Sequence, residues 1–112
     1  MLVQAFLQDS AASRPEKIAL ICGGQRLTYR QLDDMADRLA VALRDFGVKR
    51  GDRVVVYLGN SVELVVAVFA TLKADGVFVV VNRTTKAEKL RFVLQDSGAT
   101  AVITDGRAAL LL

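Results

Sequence analysis

Residues 27–52, LTYRQLDDMADRLAVALRDFGVKRGD, constrain the fold most, because they mark both ends of one helix and lead directly into a strand. Thr28 and Gln31 have capping-box spacing: the Thr hydroxyl satisfies the N3 amide and the Gln reaches back to the cap's own N–H. Leu32, Met35, Ala36, Leu39, Ala40, Leu43 and Phe46 recur at three- and four-residue steps, which puts them on one helix face. Gly47 ends the helix, since glycine takes the left-handed conformation without steric cost. After the polar turn Lys49-Arg50-Gly51-Asp52, the run Arg53-Val54-Val55-Val56-Tyr57 has the pattern of a buried strand.

The same reasoning extends along the chain. Residues 3–12 form a short helix that stops before Pro15. Gly23-Gly24 separates extended runs at 17–22 and 25–27, the signature of a β-hairpin whose turn residues hold positive φ. Asn60 and Glu63 repeat the capping-box spacing, so a helix starts at Ser61 or Val62 and runs to Ala74, with Leu64, Val65, Val68, Phe69 and Leu72 on its inner face. Asp75-Gly76 ends it. Val77-Phe78-Val79-Val80-Val81 is a continuous apolar run, which suits a central parallel strand covered on both faces. Thr85 and Glu88 would cap a helix over 86–96, with Leu90, Val93 and Leu94 inward, and residues 99–104 form the next strand. Strands alternating with helices predict an α/β fold: a mostly parallel sheet with flanking helices and right-handed crossovers, plus a short N-terminal hairpin.

A length of 112 residues supports one core and one domain. Fifteen basic residues against twelve acidic ones leave a net charge of +3, too balanced for the basic stripe of a nucleic-acid binder. The absence of histidine excludes Ser-His-Asp and Cys-His catalysis and His-ligated zinc. A single cysteine, Cys22, excludes an intrachain disulfide; it lies in an apolar run and is expected to act as a small buried hydrophobe. Residues 62–81 are the most hydrophobic, but Glu63, Lys73 and Asp75 interrupt them, so no membrane span of about 18 apolar residues forms. With no basic leader at the N-terminus, a cytoplasmic location is expected.

Chemistry has few places to reside. No Walker loop and no GxGxxG follows any strand. In an open parallel sheet, ligands favour the loops at the C-terminal ends of the strands, here Gly59-Asn60-Ser61, Asn82-Arg83-Thr84-Thr85-Lys86 and Asp105-Gly106-Arg107. The second loop carries two cations into a helix N-terminus, a setting suited to an anion; a capped helix with solvated basic side chains is the preferred explanation, because nothing else converges there. Asp33, Asp34 and Asp37 are assigned to surface salt bridges with Arg30 and Arg38 rather than to metal or acid–base work. No residue is assigned as catalytic or metal-ligating.

The wording of the chain is more specific than its composition. Pro15-Glu16-Lys17-Ile18-Ala19-Leu20, Leu27-Thr28-Tyr29-Arg30-Gln31-Leu32, Gly47-Val48-Lys49-Arg50-Gly51-Asp52-Arg53-Val54, Asn60-Ser61, Leu72-Lys73-Ala74, Asn82, Thr84-Thr85-Lys86-Ala87-Glu88-Lys89-Leu90 and Asp96-Ser97-Gly98-Ala99 stand in a fixed order. In that order they resemble the N-terminal part of AMP-forming acyl-CoA synthetases, relatives of luciferases and peptide-synthetase adenylation domains. The resemblance runs over residues 3–107. It implies a two-step ligase: a carboxylic acid is adenylated by ATP with Mg2+, then coenzyme A displaces AMP to give a thioester, in the setting of fatty acid metabolism. It also implies that the family's phosphate loop, its adenine, ribose and magnesium motifs, and its mobile C-terminal domain with the catalytic lysine lie beyond residue 112. Arg107 alone resembles a family position, an arginine that meets the coenzyme A nucleotide. The chain departs from the family at Lys73-Ala74-Asp75-Gly76, where Lys-Ala-Gly-Ala is expected, and lacks expected prolines near Gly59, Val80 and Arg83.

The resulting expectation is a single, partial N-terminal α/β subdomain over residues 1–112, inactive by itself. The alternatives are a non-catalytic interaction module and a coenzyme A- or nucleotide-binding relic of the same fold. A partial sheet leaves an unpaired edge, so self-association through it is expected.

Overall fold

The computed structural model describes residues 3–105. Helix α1 (Val3–Ser13) leads into the hairpin β1 (Ile18–Cys22) and β2 (Gln25–Thr28), then α2 (Tyr29–Phe46), β3 (Arg53–Leu58), α3 (Val62–Lys73), β4 (Val77–Asn82), α4 (Ala87–Ser97) and β5 (Ala101–Thr104). β1 and β2 pair antiparallel around Gly23 and Gly24, whose φ values of +56° and +82° a side chain would resist. β3 pairs parallel with β4 on one side and β5 on the other, giving the order β4-β3-β5. The α/β class, the parallel sheet and the hairpin stand as expected. Among the described residues, no helix is long and apolar enough to cross a membrane.

α2 is built as its sequence dictates. Gln31 N donates to Thr28 Oγ1 at 3.2 Å and Thr28 N donates to Gln31 Oε1 at 2.9 Å, a closed capping box. At the other end Gly47 N donates to Leu43 O and Arg44 O. The buried stripe is narrower than predicted: Leu32, Ala36, Ala40 and Leu43 are buried, whereas Phe46 stands 70% exposed at the last turn.

β3 is the spine of the core, with Val54, Val55, Val56 and Tyr57 at most 1% exposed. Strand alternation sends its side chains both ways. Val54 packs with Ala40, Leu43 and Ala70, and Val56 and Leu58 with Ala67, so α2 and α3 cover one face. Val55 and Tyr57 pack with Leu90, Val93 and Leu94, so α4 covers the other. A further cluster of Leu7, Leu32, Ala36, Val62 and Val66 joins α1, α2 and α3, with Leu20, Cys22 and Leu27 of the hairpin packed against it. Cys22 is thus half-buried among apolar neighbours.

Four local expectations are corrected. β4 is an edge strand, not a central one: Val77, Phe78 and Val80 are 48%, 38% and 48% exposed. α3 turns its small residues inward, burying Val62, Val66, Ala67, Ala70 and Thr71, while Leu64, Val65, Val68, Phe69 and Leu72 are half-buried. Small residues let the helix lie close to α2 and β3, and the unbroken apolar run from Leu64 to Ala70 gives periodicity nothing to separate. The cap of α3 is Ser61, whose Oγ accepts from Leu64 N at 3.1 Å, not Asn60. α4 begins after Lys86 with no side-chain cap, because Thr85 lies one residue too early.

Candidate functional site

The C-terminal ends of β3, β4 and β5 share one end of the sheet because the strands are parallel. The chain leaves β3 for α3 on one face and leaves β4 for α4 on the other. The loops after β3 and β4 therefore part at the carboxyl end of the sheet, the side on which open α/β sheets bind their ligands. A cleft of about 470 Å³ occupies it, lined by Leu58, Gly59, Asn60, Val80, Asn82 and Arg83 among others. Two of the three predicted loops therefore meet at one cleft.

The loop after β4 is folded by its own polar groups. Asn82 Oδ1 accepts from Thr84 N at 2.9 Å and from Thr84 Oγ1 at 2.8 Å, and Thr85 N donates to Asn82 O at 2.9 Å. Tyr57, buried at the end of β3, donates its hydroxyl to Thr85 O at 2.9 Å, and its own carbonyl accepts from Thr104 Oγ1 at 3.0 Å. Arg83 lies over the Tyr57 ring, 5.4 Å from its centroid, and its Nε and Nη2 donate to Asp105 Oδ2 and Oδ1 at 3.3 and 3.4 Å. One aromatic ring and one guanidinium thus tie together the exits of all three strands. The sequence had placed Arg83 and Asp105 in candidate loops but had not singled out Tyr57; a buried tyrosine at a strand's end, needing a partner for its hydroxyl, was the available signal.

This arrangement does not fit a triphosphate with magnesium. Arg83 is engaged by Asp105, Lys86 is an exposed side chain at the start of α4, and no glycine-rich turn aims amides into the cleft. Among the described residues, no group of three or more His, Cys, Asp or Glu could hold a metal ion. Arg107 lies outside the described residues.

The acidic residues of α2 are placed differently from the expectation. Asp34 does meet Arg38, at 3.9 Å, but Arg30 pairs with Glu16 at 2.9 Å. Asp33 and Asp37, one helical turn apart, instead hold Lys73 at the end of α3, with N–O distances of 2.7 and 2.8 Å. Burial pushes the Lys73 ammonium down, yet the hydrogen bonds and charges of Asp33 and Asp37 outweigh it and hold its pKa above the ordinary 10.5. Arg44 donates to the Lys73 carbonyl beside it. This is an interhelical clamp, remote from the cleft, that ties the C-terminal end of α3 to α2.

Comparison with known proteins agrees with this architecture. The AMP-binding enzyme family matches residues 7–111. The N-terminal domain of FACL13 from Mycobacterium tuberculosis superposes with a TM-score of 0.90 at 30% identity, covering 99% of this chain and 29% of that one. The NpsA N-terminal subdomain of Klebsiella oxytoca, in complex with 3-hydroxyanthranilyl-AMSN, superposes with a TM-score of 0.86 at 29% identity over 96% of this chain and 28% of that one. A medium/long-chain-fatty-acid–CoA/3-oxocholest-4-en-26-oate–CoA ligase of Mycobacterium tuberculosis is 39% identical over 95 residues, which is 85% of this chain and 17% of the ligase. Gramicidin S synthase 2 of Brevibacillus brevis is 35% identical over 102 residues, 91% of this chain and 2% of the synthase. The fold is that of the N-terminal subdomains of adenylate-forming enzymes. The chain belongs to the AMP-binding enzyme family. It spans at most 17% of the length of these two curated relatives.

Proposed function

We propose that residues 1–112 are a scaffold, one partial N-terminal subdomain, of an ATP-dependent acid–CoA ligase, and that they perform no adenylation by themselves. The observation that carries this reading is the engagement of Arg83, the cationic side chain that lines the cleft: its guanidinium is held by Asp105 and stacked on Tyr57. Likeness to a CoA ligase, 39% over 95 residues, supports coenzyme A as the thiol acceptor and a fatty or other carboxylic acid as the substrate of the complete enzyme. In this reading ATP and Mg2+ are held by sequence other than these residues, Arg107 lies toward the coenzyme A nucleotide, and the protein works in the cytoplasm. The exposed edge at β4 favours a second reading, a non-catalytic interaction module on the same fold. Calorimetric titration of the 112-residue chain with ATP–Mg2+ and with coenzyme A tests the proposal. The scaffold reading predicts no saturable heat for either; micromolar binding of ATP–Mg2+ or coenzyme A would replace it with a nucleotide-binding relic.

A further inference from the structure

We propose that two copies of this chain pair antiparallel through β4, across a two-fold axis at Val79, to form one continuous six-stranded sheet. The inference rests on the edge itself and not on the ligase reading. Among the described residues, the outer edge of β4 has no strand beside it. Protein edges are ordinarily blunted by charge, proline or a bulge. Val77-Phe78-Val79-Val80-Val81-Asn82 carries none of these, and its pairing with β3 is regular over all six residues. By contrast β1–β2 is bulged, and β5 is only four residues long.

The chemistry of the strand selects both the partner and the register. A dyad perpendicular to the sheet keeps like faces together, so facing residues must lie an equal number of steps on either side of one central residue. With Val79 at the centre, Phe78 faces Val80 of the second copy and Val77 faces Val81, aromatic–aliphatic and aliphatic pairs that stabilise a sheet. Phe78 and Val80 are the half-exposed side chains of the face that α3 leaves uncovered, so each pair closes an apolar gap on both copies. Centring on Val80 would set Phe78 against Asn82 and Val77 against Arg83. Centring on Phe78 would set Gly76 against Val80 and Asp75 against Val81. Only the register at Val79 gives every apolar side chain of the strand an apolar partner.

Sedimentation velocity of the 112-residue chain over a concentration series tests this. The expected result is a monomer–dimer equilibrium that Val80→Lys weakens at least about 100-fold, because it puts a charge on the bare apolar face at the seam. Val80 is half-exposed, so the variant should keep its far-UV circular dichroism, and Phe92→Lys on the outer side of α4 should leave the equilibrium unchanged. Val79→Cys in a Cys22→Ala background should cross-link to itself under mild oxidation. A monomer at every concentration, which would leave the edge to another polypeptide, overturns the proposal. So does association that survives Val80→Lys, or a dimer in which Val79→Cys forms no cross-link.

Discussion

Replacing Lys73 with methionine tests how the helix layer is held. The substitution keeps the aliphatic stem and removes the ammonium that Asp33 and Asp37 grip at 2.7 and 2.8 Å. The side chains of Lys73 and Asp33 are only 11% and 19% exposed, so their pair approaches the buried case, in which removing one partner costs about 3–5 kcal/mol. Asp37 is 57% exposed and its share is that of a surface pair, about 0.2–1 kcal/mol. Discounting the first for its remaining solvent access, the loss comes to about 2–3 kcal/mol. For a chain of this size with a urea slope of roughly 1.3 kcal/mol/M, the midpoint should fall by about 2 M. Asp33→Asn should cost more than Asp37→Asn. Asp33→Asn combined with Lys73→Met should cost less than the sum of the two, with a coupling of about 1 kcal/mol. Equilibrium urea unfolding followed by circular dichroism measures all four variants. A loss below about 0.5 kcal/mol for Lys73→Met, or strict additivity with Asp33→Asn, would refute the clamp as a stabilising element.

Other consequences follow from individual residues. The raised Lys73 pKa means that folding favours its charged form, so the clamp contributes fully below the ordinary 10.5 and is lost as pH rises through the folded value. The stability difference between wild type and Lys73→Met should therefore hold constant from neutral pH to about 10 and shrink above it, as urea midpoints at each pH would reveal. Asp75 has a φ of +63°, strained for a residue with a side chain, and sits at the acid-unfavourable C-terminal end of α3. Asp75→Gly should raise stability by about 0.5–1 kcal/mol and Asp75→Ala should lower it, read from thermal midpoints. Ser61→Ala removes the cap of α3 and should cost about 1 kcal/mol, while Asn60→Ala should cost much less.

The parts legible in the sequence are those fixed by neighbours a few residues apart. The capping box of α2, the Gly23-Gly24 hairpin and the alternation of strands with helices are local, and the structure repeats them. The departures are tertiary. The apolar run of β4 registers a demand for burial but not what meets it, so its edge position was hidden. The Asp33–Lys73 pair spans forty residues, and only the position of Asp33 and Asp37 beside the buried Ala36 and Ala40 hinted at it. The loops that line the cleft followed from the order of strands and helices, whereas the packing of Arg83 on Tyr57 and its pairing with Asp105 join residues far apart in the sequence. The departure from the family pattern at Asp75-Gly76 also gains a physical meaning. The left-handed position is residue 75, and the glycine stands one place later, where a Cβ would lie 3.1 Å from Asp52 O and 3.2 Å from Thr71 Cγ2.

The central claim, a family scaffold that carries out no adenylation by itself, is tested most directly by ATP–pyrophosphate exchange. The purified 112-residue chain would be assayed with Mg2+ and a panel of carboxylic acids, beside a complete CoA ligase of the family as the positive control. The account predicts exchange indistinguishable from the no-protein blank for every acid, while the complete ligase exchanges. Acid-dependent exchange by the 112-residue chain, abolished by Arg83→Gln, would contradict it and place the chemistry in the cleft between β3 and β4.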